Sequence, residues 1–394
     1  MKKKTKLLIR DAFLSTLLTS VILLILSLAF FNIRWFNPLH KAFKDFSFLD
    51  IFYSEGFYND QSIVINDIIL VNVEDKSRTE IAEVLQQILK ADPSAVGFDI
   101  ILKDLKDDFE TDAKLSDLLK HEKVITSCKT YNGKIEYSHP FFKGKTSNHG
   151  NTTFNSDTTQ TSVKREFEGI TEINGEKLMA FSALLAKKHL GKKWKKYKLK
   201  ERLKQTQYIT YYGHYDDFLH LDFKDFNVYE KKDILKDKIV IMGYLGTPTG
   251  NVYDIEDKHF TPLNKYSAGK TDKDMYGVTI HANITNSLIT NDLIFRVSNF
   301  WTYIITFLSI FFTTMYYMKL SKTYKVSYRT RKQLFQLIFA ITLFSVSLFL
   351  FRYKIVFPFA IIIIGVILAG GYFKYYKHLT RYINTKRKWK TYLK

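Results

Sequence analysis

The chain has 394 residues, 46% of them hydrophobic, and a formal charge of +20 from 59 basic and 39 acidic side chains. Length alone admits two or three soluble domains. The charge would suggest a nucleic-acid binder, but its distribution excludes that partner. Residues 1–11 carry five basic residues and one acid, residues 319–333 six basic residues and residues 374–394 eight; with Arg352 and Lys354 these make up the whole excess. Residues 12–318 sum to zero, and no Asp or Glu occurs from 319 onward. The mean hydropathy of −0.14 conceals long apolar segments diluted by a polar middle.

The first of these, residues 12–31 (AFLSTLLTSVILLILSLAFF), is uncharged and matches the roughly 20 residues that a helix needs to cross a bilayer. It is longer than the apolar core of a cleaved leader, and no small-x-small cleavage site follows, so it reads as a retained anchor.

A folded domain is expected over residues 32–298. DIILVNV (67–73) is a continuous apolar run of the buried parallel type. In the following SRTEIAEVLQQILKAD, Ile81, Val84, Leu85, Ile88 and Leu89 recur at helical spacing, with Ser77 or Thr79 as cap. AVGFDIIL (95–102) is a second strand, and a crossover of this length implies parallel pairing. KVITSC (123–128), YITYYG (208–213) and DKIVIMGYLG (237–246) are further strand candidates, and EKLMAFSALLAKKHL (176–190) reads as an amphipathic helix. Residues 129–170 read as loops or short antiparallel strands. The pattern predicts an α/β domain with a mainly parallel sheet plus an insertion. Cys128 is the single cysteine, which rules out an intrachain disulfide and reads as a buried thiol.

The basic run KKHLGKKWKKYKLKERLK (187–204) is read in two ways. It is either a solvated helix end or, with Trp194 and Tyr197 among the lysines, a patch for anionic head groups or polysaccharide.

Three more apolar segments follow: 299–318, 334–351 and 355–373. With the N-terminus in the cytoplasm, all three large basic clusters (1–11, 319–333 and 374–394) fall on the cytoplasmic side, as the positive-inside rule requires. Arg352–Lys354 then forms a minimal outer turn. The expected architecture is an extracytoplasmic α/β domain with one transmembrane helix before it and three after it. The cytoplasmic pieces are too short to bury a core. A multi-pass membrane location follows, with both termini cytoplasmic.

In open parallel sheets, ligands bind beyond the carboxyl ends of the strands. Glu74 and Asp75 follow the first strand, Asp99 lies inside the second, and Asp257 begins DKHFTPLN (257–264). These four are the ligand-binding candidates, although Asp99 has the ordinary alternative of anchoring a loop. Thr261 and Pro262 read as a turn. In GVTIHANITNSLIT (277–290), Ile280, Ile284 and Leu288 share a helical face. Gly277, His281 and Asn283 are placed near the helix start, with His281 and Asn283 bonded to loops such as DKHFTPL, and the helix is expected to couple the domain to the next span. No metal site, cofactor or catalytic group is expected: GxSxG, phosphate-binding glycine loops, dinucleotide fingerprints and a Cys–His dyad are all missing.

Taken in order, IILVNVEDKS, AVGFDIIL, LMAFSALLAKKH, YITYYG, DKIVIMGYLG and DKHFTPL…MYGVTIHANITNSLI resemble the second type of CHASE-type extracellular sensory domain, associated with bacterial cyclases and histidine kinases. The helix arrangement, one before and three after, is similar to that family's. The resemblance implies ligand sensing. Relatives usually continue into an output domain and this sequence stops at Lys394, so a separate signalling partner is expected, with homo-oligomerisation and lipid contact open. The alternative is a structural or assembly component of an envelope complex. A transporter is disfavoured, since the four apolar segments contain no charged residue.

Overall fold

The computed structural model describes residues 3–32, 48–54, 64–106, 109–143, 148–154, 163–228, 232–264, 272–324 and 327–393. The chain divides into two compact units, one formed by residues 1–44 and 295–394 and the other by residues 45–294. The first unit opens with helix α1 (Lys3–Asn32).

The second unit is built on a seven-stranded sheet. Its strands are β1 (Ile65–Asn72), β2 (Ala95–Phe98), β3 (Val124–Tyr131), β4 (Lys134–Glu136), β5 (His149–Asn151), β6 (Phe218–Asp222) and β7 (Ile239–Gly243). The order is β6-β1-β7-β2-β3-β4, with β5 also pairing β3. Every pair is parallel except β3–β4. The first two strands are parallel as predicted, but β7 lies between them. Both faces are covered, which is why these strands read as unbroken apolar runs. Ile69 and Val71 face helices α2 (Arg78–Lys90) and α3 (Phe109–Leu119). Ile68 and Leu70 face α4 (Phe181–Leu190) and α5 (Gly277–Ile289). Ser77 caps α2 in a full capping box: its hydroxyl accepts from the Glu80 N–H at 3.3 Å, and the Glu80 carboxylate accepts from the Ser77 N–H at 2.9 Å.

Several expectations are corrected. The second strand ends at Phe98, so Asp99 follows it rather than lying inside it. The helix expected over 176–190 begins only at Phe181. Glu176–Met179 is instead a strand in a hairpin with Ile170–Ile173. Its turn is Asn174-Gly175, both at positive φ, the pairing that a two-residue hairpin favours. Within 208–213 only Tyr208 is in a strand, as part of Gln207–Tyr208, which pairs with Glu166–Phe167 outside the main sheet. One edge of the sheet is β6, which lies outside the strand candidates of the sequence. Trp194 is buried and Leu199 fully so, while the lysines between them are exposed. The run 187–204 therefore presents its lysines to the surface above a packed Trp194.

The first unit continues with α6 (Asn299–Thr323), α7 (Tyr328–Arg352) and α8 (Phe359–Lys386). Together with α1 these are four helices long and apolar enough to cross a membrane. They run past the apolar segments into the basic flanks, where Lys and Arg are good helix formers. The segment 355–373 is not helical from its start. Ile355–Val356 pairs in parallel with Phe295–Arg296, and α8 starts after Pro358, which bars Phe357 from the helical region. Small residues let these helices approach closely: Ala12, Thr16 and Thr306 are buried, and a Cβ on Gly365 would meet Ile310 at 2.8 Å.

Candidate functional site

The carboxyl ends of β1, β7 and β2 lie side by side, and α5 starts against them. The β7 end is Gly243, where a side chain would strike Val278 of α5 at 2.9 Å and approach the Asp99 Cβ at 3.5 Å. Asp99 continues the ladder, its N–H donating to the Met242 carbonyl at 2.9 Å. On the other side, Lys258–His259 pairs antiparallel with Met275–Tyr276, which leads directly into α5. This pairing sets Asp257, at positive φ, on the N-terminus of α5. The Gly277 N–H donates to the Asp257 carbonyl at 3.0 Å, and a Cβ on Gly277 would lie 2.9 Å from Asp257 Oδ2. A carboxylate there faces the positive end of the helix dipole.

Asp99 and Asp257 are thus brought together, and burial makes both carboxyls costly to ionise. The Asp99 carboxyl is pushed up to about 7, by burial first and then by the charge of Asp257, with Lys129 opposing. Asp257 is also raised, by burial, while Lys129 and the Gly277 N–H pull it back. Lys129 is exposed on β3 and marks the solvent side of the cluster. Behind the carboxyls sit two neutral imidazoles. His259 and His281 are both lowered to about 3, chiefly by burial, with Lys129 adding to it. Phe154 lies between them, edge-on to His259 at 5.5 Å and stacked on His281 at 4.4 Å.

Glu74 and Asp75 do not join this cluster. Glu74 pairs with Lys76 at 3.2 Å, Asp75 is exposed, and β7 separates their strand from β2. The polar group that organises the β1 end is Asn72, which is fully buried. Its Oδ1 accepts from Leu245 N at 2.9 Å and Glu74 N at 3.1 Å, and its Nδ2 donates to the Gly246 carbonyl at 2.8 Å and Thr249 Oγ1 at 2.7 Å. Its signal in the sequence was a lone amide inside IILVNV. Lys129 and Phe154 carried no comparable signal.

Thr261 and Pro262 hold the loop before α5. Thr261 is buried, with its N–H on Asp274 Oδ1 at 2.8 Å and its hydroxyl on Asp274 Oδ2. The turn is therefore tied down by Asp274. His281 and Asn283 bond to other segments than DKHFTPL. His281 Nδ1 is 2.9 Å from Ser182 Oγ. Asn283 Oδ1 accepts from Tyr212 N at 2.6 Å and Gly213 N at 3.3 Å, and its Nδ2 donates to the Gly213 and Thr279 carbonyls at 3.0 and 2.9 Å. This amide takes backbone hydrogen bonds of Tyr212 and Gly213, which lie outside any strand. From Gly277 to Leu288, α5 is buried on all sides, so Ile280, Ile284 and Leu288 do not form a special face. Cys128 is buried, its thiol pushed up to about 12 mainly by that burial.

Among the described residues no group of His, Cys, Asp and Glu has the arrangement of a metal site. A family model, the CHASE2 domain, matches residues 20–316. No curated protein and no solved structure matches the chain.

Proposed function

This chain belongs to the CHASE2 sensory-domain family, and from that premise we propose that it is a non-enzymatic sensor subunit of the bacterial inner membrane. In this reading residues 32–298 are extracytoplasmic, both termini are cytoplasmic, and the output is a separate protein reached through the helices. The segregation of positive charge to one side supports the orientation.

The observation that carries the proposal is the position of Asp257. It touches both the Asp99 carboxyl field and the first residue of α5, and α5 leads through residues 290–298 into α6. Two carboxyls raised above their ordinary range are a site that a cationic group would relieve. The ligand is read as a small molecule with an amine or similar cation. Its binding would draw Asp257 toward Asp99 and shift the start of α5. A ligand moves such an equilibrium only through different affinities for the two arrangements.

The test is hydrogen exchange on the full chain in membranes, across polyamines, amino acids and simple amines. A sensor of this kind yields a compound that protects Gly277–Ile289 in the wild type and not in D99N/D257N. The same protection in the double variant would remove these residues from the site.

A second reading is an assembly component of an envelope complex. It is favoured by one loop on which Val252, Tyr253 and Ile255 are 82%, 93% and 69% exposed. The loop is pinned by Asp254, which accepts from the Tyr244 hydroxyl, from Thr247 N at 3.3 Å and from Glu256 N at 3.0 Å. Exposed apolar side chains on a hydrogen-bonded loop suit a protein partner.

A further inference from the structure

The N-terminal end of α1 carries a second arrangement of charge and carbon. Lys6, Ile9, Arg10 and Phe13 of α1 line an open groove together with Phe311 of α6. Lys6 and Arg10 are one helical turn apart, as are Ile9 and Phe13, so the groove has a cationic edge beside an apolar wall. Ile9 and Phe13 are exposed, and Phe13 is braced edge-on against Phe307 at 5.9 Å. Arg10 is held in place: its guanidinium bonds Asp11 Oδ1 through Nε at 3.1 Å and Nη2 at 2.8 Å, and lies 4.6 Å over the Trp389 ring.

The charge at this end has little internal compensation. Across residues 1–44 and 295–394, Asp11 is the sole side-chain carboxylate in the sequence. It is fully buried and already accepts from Tyr376 at 3.2 Å, Thr391 Oγ1 at 2.6 Å and Tyr392 N at 2.6 Å. No second acid of this unit is left to pair with Lys6, which is exposed and open to an external anion.

We infer that this groove binds one anionic phospholipid, with Lys6 and Arg10 on the phosphate and Ile9, Phe13 and Phe311 along an acyl chain. The inference rests on reading α1 and α6 as membrane spans. On a span surface, an amphiphile with a phosphate at the basic end matches both the charge and the carbon wall. A basic residue near such a head group favours the anion by about 1 kcal/mol, or roughly fivefold. A free phosphate would satisfy the cations and leave the wall bare.

The test uses the full chain in discs of phosphatidylcholine with and without phosphatidylglycerol, followed by native mass spectrometry of the lipid retained. Phosphatidylglycerol should be retained over phosphatidylcholine, and Lys6→Gln should reduce that retention about fivefold. Phe13→Ser should also reduce it. Lys374→Gln, which removes an exposed charge on α8, should leave it unchanged. Equal loss in the Lys6 and Lys374 variants means diffuse attraction and overturns the site. Displacement of the lipid by inorganic phosphate, with no effect of Phe13→Ser, assigns a phosphate site and overturns the lipid. A chain that does not enter discs at all overturns the span reading itself.

Discussion

Asp257 and Gly277 meet at the start of α5 so closely that the carboxylate would have to move to admit a side chain: a methyl on Gly277 would lie 2.9 Å from Asp257 Oδ2, beside the 3.0 Å bond from the Gly277 N–H to the Asp257 carbonyl. Gly277→Ala should therefore cost about 1 kcal/mol, the low end for overpacking because a side-chain carboxylate can give way, read as a lower urea midpoint of residues 45–294 in the full chain. In an Asp257→Ala background the same change should cost much less. Equal costs in both backgrounds would place the strain elsewhere.

Asp99 makes stability depend on pH in the direction opposite to an ordinary ion-paired carboxylate. Its folded pKa is about 7 against an ordinary 3.8, so between these values the folded state holds the proton that the unfolded state has lost. The stabilisation is full below about pH 4 and fades as pH rises to about 7, at most about 4 kcal/mol in all. Asp99→Asn should remove this component, so the advantage of wild type over variant should shrink between pH 5 and 8. Chemical denaturation at a series of pH values checks it; a constant difference would mean that Asp99 titrates normally.

The two neutral imidazoles act the other way. His259 and His281 are neutral to about pH 3 in the fold, whereas unfolded histidine protonates near pH 6.5. Their contribution is present above about pH 6.5 and is lost as pH falls toward 3. His281→Gln should make the acid limb of the stability profile shallower over that interval. NMR of the imidazole carbons provides the direct reading, with no titration of His281 expected between pH 5 and 8.

Asn283 is fully buried and bonds both Tyr212 N and the Gly213 carbonyl. Asn283→Ala would leave backbone groups of 212–213 unpaired inside the protein, a loss of about 2–4 kcal/mol. Hydrogen exchange should show the amides of Tyr212 and Gly213 deprotected first. Protection unchanged at those two amides would show that other groups satisfy them.

Asp11 ties the segment after α8 to the start of α1 through Thr391 and Tyr392. Asp11→Ala should free that segment, since it removes the acceptor of the Thr391 and Tyr392 bonds, a loss of about 1–3 kcal/mol. Trypsin should then cut at Arg387 and Lys388 faster than in wild type. Unchanged cleavage would mean that the Trp389–Arg10 stacking suffices.

The apolar runs around Leu70 and Ile241, a helix cap at Ser77 or Thr79 and the four long apolar segments were legible because their determinants are local. A buried strand, a helix cap and a span each depend on neighbours in the chain. The mispredictions came where long-range partners decide. Tyr211–Gly213 has strand composition, yet Asn283 takes its hydrogen bonds, and FLHLD becomes an edge strand only because β1 lies beside it. The Asn174-Gly175 turn was a local signal that the helical pattern after it obscured.

The candidate site divides in the same way. Sequence by itself identified carboxylates at strand ends, because strands of this type end where chemistry collects, and it identified the family through the order of its segments. Only the tertiary structure decided that Asp99 and Asp257 share one field while Glu74 and Asp75 stand apart. The reason is the insertion of β7 between β1 and β2, a pairing made across more than a hundred residues. Burial then set the charge states, raising Asp99 and neutralising His281, since desolvation depends on what surrounds a side chain and not on its neighbours in sequence.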